Sequence, residues 1–221
     1  KGEKLQPDRR QRLADFLATA LEAQIQHNRS ISSEMETAKT CINRVVEMIG
    51  EQQEAAHRHV DTESCDMAAI VQQNAAIARY SAQGRVEFSV SDTPCIGQAN
   101  RLLLSQAVGN LLANGVESIT AVGRAKGLME VTLSESRDVT GNYVEIAVRD
   151  NGEGFAPDTA KRFFERGYSS RKEKSGGLGL HWCANAINLM AGSLSLSSDG
   201  PGLGATAVIR LPASSVATGQ H

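Results

Sequence analysis

The chain has 221 residues, 41% of them hydrophobic and 22% charged, with a formal net charge of −2. That length accommodates one compact domain plus an extension, or two small domains, and the near-neutral balance gives no electrostatic reason to expect nucleic acid or an acidic membrane surface as the main partner; no nucleic-acid partner is expected. Four scattered cysteines, Cys41, Cys65, Cys95 and Cys183, lack CxxC or metal-ligand spacing and read as reduced buried thiols of a cytoplasmic protein. No apolar run approaches the ~20 residues that span a bilayer, and no signal-peptide pattern opens the chain. The polypeptide therefore reads as soluble, with membrane attachment possible only through sequence preceding Lys1.

Apolar or small residues recur at Leu13, Leu17, Ala20, Ile31, Met35, Ala38, Ile42, Val45 and Ile49, in heptad-like steps of three and four, with polar Gln24 and Asn28 on the same seam. No proline falls between Pro7 and Pro94. One helix over about residues 8–60, roughly 75 Å long at ~1.5 Å per residue, fits this pattern. Two shorter helices broken near His27-Asn28-Arg29-Ser30 also fit; the continuous run of three- and four-residue steps favours the single helix. Its narrow stripe is too small for a monomer core and calls for a partner helix, most simply that of a second copy. The expected division is a dimerisation helix at 1–62, a folded domain at 63–214 and a flexible tail at 215–221, with a flexible connection near 59–66.

Strands and helices alternate after residue 84. Period-two patterns centre on Val86, Phe88 and Val90; on Val131 and Leu133; on Val144, Ile146 and Val148; on Leu194 and Leu196; and on Ala207, Ile209 and Leu211. Helical periodicity occupies about 66–80, 97–121, 157–166 and 178–191, with Gly192 as the stop of the last. Ser134–Asn142 reads as a polar hairpin loop and Gly200-Pro201-Gly202 as a turn. The fold class is α+β: a sandwich of a mixed, about five-stranded sheet covered on one face by helices, preceded by the long coiled-coil-like helix.

Residues 150–183 carry most of the chemistry. Asp150 follows the strand 143–149, where its carboxylate can accept a hydrogen bond from an exocyclic amino group such as that of adenine, worth roughly 1.5–3 kcal/mol. Gly152 and Gly154 remove side chains where a ring approaches the backbone. Asp-Asn-Gly alone indicates only a tight turn. What adds weight is Ser175-Gly176-Gly177-Leu178-Gly179-Leu180, glycines opening a helix whose N–H groups and positive dipole end suit a polyphosphate. Arg166, Arg171, Lys172 and Lys174 lie between the two motifs as counter-charges, and at least two belong to a solvated face. Phe163 and Phe164 serve either as an anchor of this loop or as ordinary core.

Upstream, Asn110, Asn114 and Glu117 fall at i, i+4 and i+7 on one helical face, while Leu103, Ala107, Leu111 and Leu112 form an apolar face. Amide oxygens are hard ligands suited to Mg²⁺, which binds through phosphates and keeps waters. Asn110 and Asn114 are thus the candidate metal residues.

In chain order, the sequences Asn-Leu-Leu-Ala-Asn-Gly-Val-Glu-Ser-Ile at 110–119, Asp-Asn-Gly-Glu-Gly-Phe at 150–155, Phe-Phe-Glu-Arg-Gly-Tyr-Ser-Ser at 163–170, Gly-Gly-Leu-Gly-Leu-His-Trp-Cys at 176–183 and Gly-Leu-Gly-Ala-Thr-Ala-Val-Ile-Arg-Leu-Pro at 202–212 resemble the N, G1, F and G2 boxes and closing strand of a sensor histidine kinase catalytic domain. The resemblance covers about residues 66–212. It implies the Bergerat ATP-binding sandwich, with Asp150 on adenine, Asn110 and Asn114 on Mg²⁺, Gly176, Gly177, Leu178, Gly179 and Leu180 along the phosphates, Thr206 near the base and 168–175 as the ATP lid. Glu117 stands where many members carry lysine. By the same resemblance, Mg-ATP is the phosphoryl donor to a histidine, a response-regulator receiver domain takes the phosphate, and the long helix forms a homodimer.

No catalytic residue is assigned within the chain. His27, His57 and His59 lack the acidic or polar neighbour and following proline of a phosphoacceptor, and His181 follows the glycine turn, so the acceptor is expected N-terminal to Lys1. Two rival readings remain: an ATPase or serine kinase of the same fold, and a non-catalytic dimeric adaptor. The heptad stalk argues against the first and the intact glycine boxes against the second.

Overall fold

The computed structural model describes residues 15–16, 21–22, 24, 26, 60–164 and 179–214. The chain separates into two compact units, Lys1–Met48 and Ile49–His221. In the first, the described residues are helical and exposed. The remainder of the expected long helix, including its heptad seam, lies outside the described residues, as do His27, His57 and His59.

The second unit opens with strand β1 (Glu63–Asp66) paired antiparallel with β3 (Ile96–Ala99), Cys65 opposite Gly97. This corrects the flexible connection expected through residue 66. Cys65 points inward, 3% exposed, and Gln98 Nε2 donates to the hydroxyls of Ser64 and Ser214, both at 3.1 Å. A four-residue strand is too short for its alternation to stand out in sequence. Asp66 then caps helix α1 (Met67–Ser81), accepting from the Ala69 N–H at 3.0 Å. Burial pushes the Cys65 and Cys95 thiols up, so both stay protonated at neutral pH.

Strand β2 (Val86–Val90) runs parallel to β4 (Gly127–Asp138), and β5 (Gly141–Asp150), β7 (Ala205–Pro212) and β6 (Ser193–Ser197) complete a mixed sheet in the order β2-β4-β5-β7-β6. The five expected strands are these five. Every second residue of the three middle strands is buried: Met129, Val131 and Leu133; Val144, Ile146 and Val148; Ala207, Ile209 and Leu211. They pack under helix α2 (Arg101–Val122), which buries Leu104, Ala107, Val108, Leu111, Leu112 and Ile119. Helix α3 (Gly179–Leu189) covers the same face with Trp182, Cys183, Ala186 and Ile187.

Three local expectations change. Segment 134–142 is strand, not loop: β4 and β5 stay in register to Asp138 opposite Gly141, leaving a two-residue turn. Its residues are polar because pairing continues after the buried alternation of β4 ends at Leu133. Asp138 closes that turn, accepting from the Thr140 N–H at 2.7 Å. The Thr140 hydroxyl and Arg210 hold its carboxyl well below the usual carboxylate range. Second, the helix expected from residue 97 begins at Arg101, because Ile96–Ala99 pairs with β1. Third, 157–164 is a 3-10 helix.

At the end of α3 the left-handed residue is Ala191, φ +57°, with the Gly192 N–H on the Ile187 carbonyl at 3.0 Å and the Ala191 N–H on Asn188, a Schellman arrangement. Gly192 is needed for a different reason: a Cβ there would press on the Arg210 carbonyl at 2.5 Å.

Asn100 caps α2 by accepting from the Leu103 N–H at 3.1 Å and donates to the Asp61 carbonyl at 3.3 Å. Asn100→Ala is expected to lower unfolding stability by about 1 kcal/mol in urea titration, with the denaturant slope unchanged.

Candidate functional site

Asp150 ends the central strand β5, flanked by Met129 of β4 and Ala205 of β7. By the alternation of β5 it lies on the helix-covered face with Val148 and Ile146. Its Oδ1 accepts from the Gly152 N–H at 2.8 Å, which fixes the carboxylate over the turn that follows. Helix α2 passes directly above: a Cβ placed on Gly115 would stand 3.4 Å from the Asp150 Cβ and 2.5 Å from the Met129 methyl. Asn114 precedes Gly115 and is exposed, while Asn110 sits one turn earlier, half-buried. The helix that carries both amides thus approaches the carboxylate as closely as backbone and glycine allow.

The turn after Asp150 is clamped from both sides. Gly152 abuts the α2 backbone, where an added Cβ would meet the Ser118 carbonyl carbon at 2.5 Å and the Ile119 nitrogen at 2.7 Å. Ser118 Oγ accepts from the Glu153 N–H at 2.9 Å. On the opposite side the β6–β7 connection closes over Gly154, whose φ is +59° and whose Cβ would strike the Gly200 carbonyl and stand 2.8 Å from that of Gly204. Gly204, φ +79°, in turn lies against the Asp150 carbonyl and 2.9 Å from the Asn151 Cα by the same construction. Ser198 Oγ joins the two loops, accepting from the Phe155 N–H at 3.1 Å and donating to the Gly204 carbonyl at 2.7 Å.

Asn151 anchors the third side. It accepts from the Leu128 N–H at 2.9 Å and donates to the Lys126 carbonyl at 3.3 Å, tying the turn to the start of β4. These contacts satisfy the polar backbone of a turn that is half-buried or buried. Within the described residues the glycines meet protein atoms, so they are packing requirements as well as openings for a ligand. Phe155 leads onward: its ring lies 4.8 Å from that of Phe163 in the 3-10 helix, tilted by 56°.

Of the residues expected at the site, Asn110, Asn114, Asp150, Gly152 and Gly154 come together around α2 and the 150–155 turn. Gly179 and Leu180 form the first turn of α3, which docks on α2 where the Cys183 thiol lies 3.8 Å from the Ala107 carbonyl. That contact is one turn from Gly179 and one turn from Asn110. Arg166, Lys172, Gly176, Gly177 and Leu178, with the 168–175 segment, lie outside the described residues. Thr206 stands apart from Asp150: it pairs with Arg149 on the outer face of the sheet and shares a shallow polar depression with Ser197 and Asp199. The position beside Asp150 belongs to Ala205. Ser118, Asn151 and Ser198 are supporting residues that the motifs did not single out. Gly204 was legible only as part of a Gly-x-Gly turn.

Among the described residues no group of three His, Cys, Asp or Glu side chains is spaced to hold a metal. A cation at this site would instead draw on the two amide oxygens and on ligand phosphates, the donor set that suits Mg²⁺. No helix among the described residues is long and apolar enough to cross a membrane.

The family model for histidine kinase-, DNA gyrase B- and HSP90-like ATPases matches residues 99–215. The alginate biosynthesis sensor protein KinB of Pseudomonas aeruginosa is 29% identical over 209 residues, covering 92% of this chain and 32% of its own. The heme sensor protein HssS of Staphylococcus saprophyticus is 31% identical over 123 residues, covering 55% of this chain and 25% of HssS. The chain thus spans about a third or less of these relatives. The mycobacterial sensor histidine kinase MprB superposes with a TM-score of 0.59 at 25% identity, over 69% of this chain and 97% of that one. The ATP-binding domain of PrrB from Mycobacterium tuberculosis gives 0.52 at 28% identity, over 70% and 98%. With a family match over more than half its length, the chain belongs to the histidine kinase-, DNA gyrase B- and HSP90-like ATPase family and carries the ATP-binding domain of its sensor histidine kinases.

Proposed function

We propose that this chain binds Mg-ATP and delivers the γ-phosphoryl group to a histidine, from which it passes to an aspartate of a response-regulator receiver domain. The observation that carries the proposal is the approach of the helix bearing Asn110 and Asn114, the proposed hard amide ligands, to Asp150, the proposed adenine acceptor, through Gly115. Asp150, held by the Gly152 N–H, accepts from the adenine amino group. Asn110 and Asn114 hold Mg²⁺, which neutralises phosphate charge when bound. The N–H groups of Gly179 and Leu180 at the start of α3 face the phosphates, with Arg166 and Lys172 as counter-charges.

Phosphoryl transfer asks a protein mainly for positioning and charge compensation, and these residues supply both. The acceptor histidine belongs to a stalk of the full-length protein, dimerised through the N-terminal helix, and the reaction takes place on the cytoplasmic side where ATP is available.

Titration calorimetry with a non-hydrolysable ATP analogue and Mg²⁺ is expected to show binding, and Asp150→Asn is expected to weaken it roughly tenfold to hundredfold, the worth of one charge-assisted hydrogen bond. Absence of heat from the unaltered chain would favour the adaptor reading. Incubation with γ-labelled ATP is expected to leave no acid-labile label on this chain; strong labelling would place the acceptor within it.

Two glycine substitutions separate ligand clearance from packing. Among the described residues a Cβ on Gly179 meets nothing within 4 Å, so Gly179→Ala is expected to leave the thermal midpoint within about 2 °C while reducing analogue affinity. Gly204→Ala forces a Cβ into the Asp150 carbonyl at positive φ and is expected to cost more than ~2 kcal/mol in denaturant unfolding, even without ligand.

A further inference from the structure

His181 lies in the first turn of α3, half-buried, and its imidazole is bonded on both nitrogens. Nδ1 is 2.8 Å from the carbonyl oxygen of Phe164, the last residue of the 3-10 helix. Nε2 is 3.2 Å from the Asn185 Nδ2, one turn along the same helix. A carbonyl only accepts, so Nδ1 carries the proton; an amide nitrogen only donates, so Nε2 is the bare acceptor. The two partners together fit the Nδ1–H tautomer.

This bond completes a relay across the site. The turn that holds Asp150 continues into Phe155, whose ring packs on Phe163. The next residue, Phe164, receives the His181 N–H, and His181 sits two residues after Gly179. The start of α3 is therefore tied, through one side chain, to the element that leans on the adenine-side turn. The two residues that follow, Trp182 and Cys183, are buried in the core.

We propose that His181 is a positioning residue for nucleotide binding: its Nδ1–H bond to Phe164 sets the phosphate-facing start of α3 at the right distance from the Asp150 turn. The inference rests on the nucleotide-binding reading above. Its cause is preorganisation, because a helix start held in place before binding spends less ligand energy on being placed.

The test compares His181→Ala with His181→Asn, whose side-chain amide offers an N–H close to the Nδ1 position. Calorimetry with the Mg-bound, non-hydrolysable ATP analogue is expected to show affinity roughly three- to tenfold weaker for the alanine variant, the worth of one neutral hydrogen bond, and within about twofold of the unaltered chain for the asparagine variant. Equal affinity in the alanine variant and the unaltered chain, or equal loss in both variants, overturns the inference while leaving the nucleotide reading intact. An unaltered chain that binds no analogue overturns both. Independently of any variant, nitrogen NMR of the histidine rings is expected to show His181 protonated at Nδ1 and bare at Nε2. An Nε2–H tautomer would overturn the proposed bond.

Discussion

Three backbone segments meet at one point in this domain with no room for a β-carbon between them. The 150–155 turn, the α2 backbone at Ser118–Ile119 and the 198–204 connection touch through Gly152, Gly154 and Gly204. Because the contacts involve carbonyls and backbone nitrogens, a larger residue there has no rotamer through which to escape. The central strand, the covering helix and the far hairpin are thereby fixed relative to one another, and Asp150 lies at their junction. Everything assigned to the nucleotide depends on that junction being rigid before a ligand arrives.

The same contact explains how a turn with so little side chain stays ordered. Glycine carries a large conformational cost on folding, and Gly152, Gly154, Gly200 and Gly204 all take part in this contact. The cost is offset by hydrogen bonds from short hydroxyl and amide side chains: Ser118 on Glu153, Ser198 between Phe155 and Gly204, Asn151 on the Leu128 N–H and the Lys126 carbonyl. Each of these reaches a backbone group that the turn would otherwise leave without a partner. Placement of Asp150 is thus built from small polar residues around glycine.

Much of the fold was legible in advance. The five strands of the main sheet appear where apolar residues alternate, because one face is buried and the other is solvated. Four helical segments follow from periodicity, although one is a 3-10 helix. The errors share a cause. Residues 63–66 and 96–99 are too short for alternation to register, yet they pair antiparallel with Cys65 and Ala99 buried. Residues 134–138 are polar throughout and still form strand, because pairing needs only backbone groups once a tight turn brings β5 alongside.

The acid, the asparagine pair and the glycine boxes were legible in the sequence alone, and their resemblance in chain order to the boxes of sensor histidine kinases pointed to the family. Tertiary structure alone decided which strand face each side chain takes. Thr206, one residue past the position opposite Asp150, is turned to the outer face, and Ala205 stands on the inner one. A strand alternates with period two, so a displacement of one residue, invisible in a motif, reverses the side chain's direction. The partners of Ser118, Ser198 and His181 are likewise tertiary facts: each bonds a backbone group far along the chain, and a backbone group carries no signature in sequence.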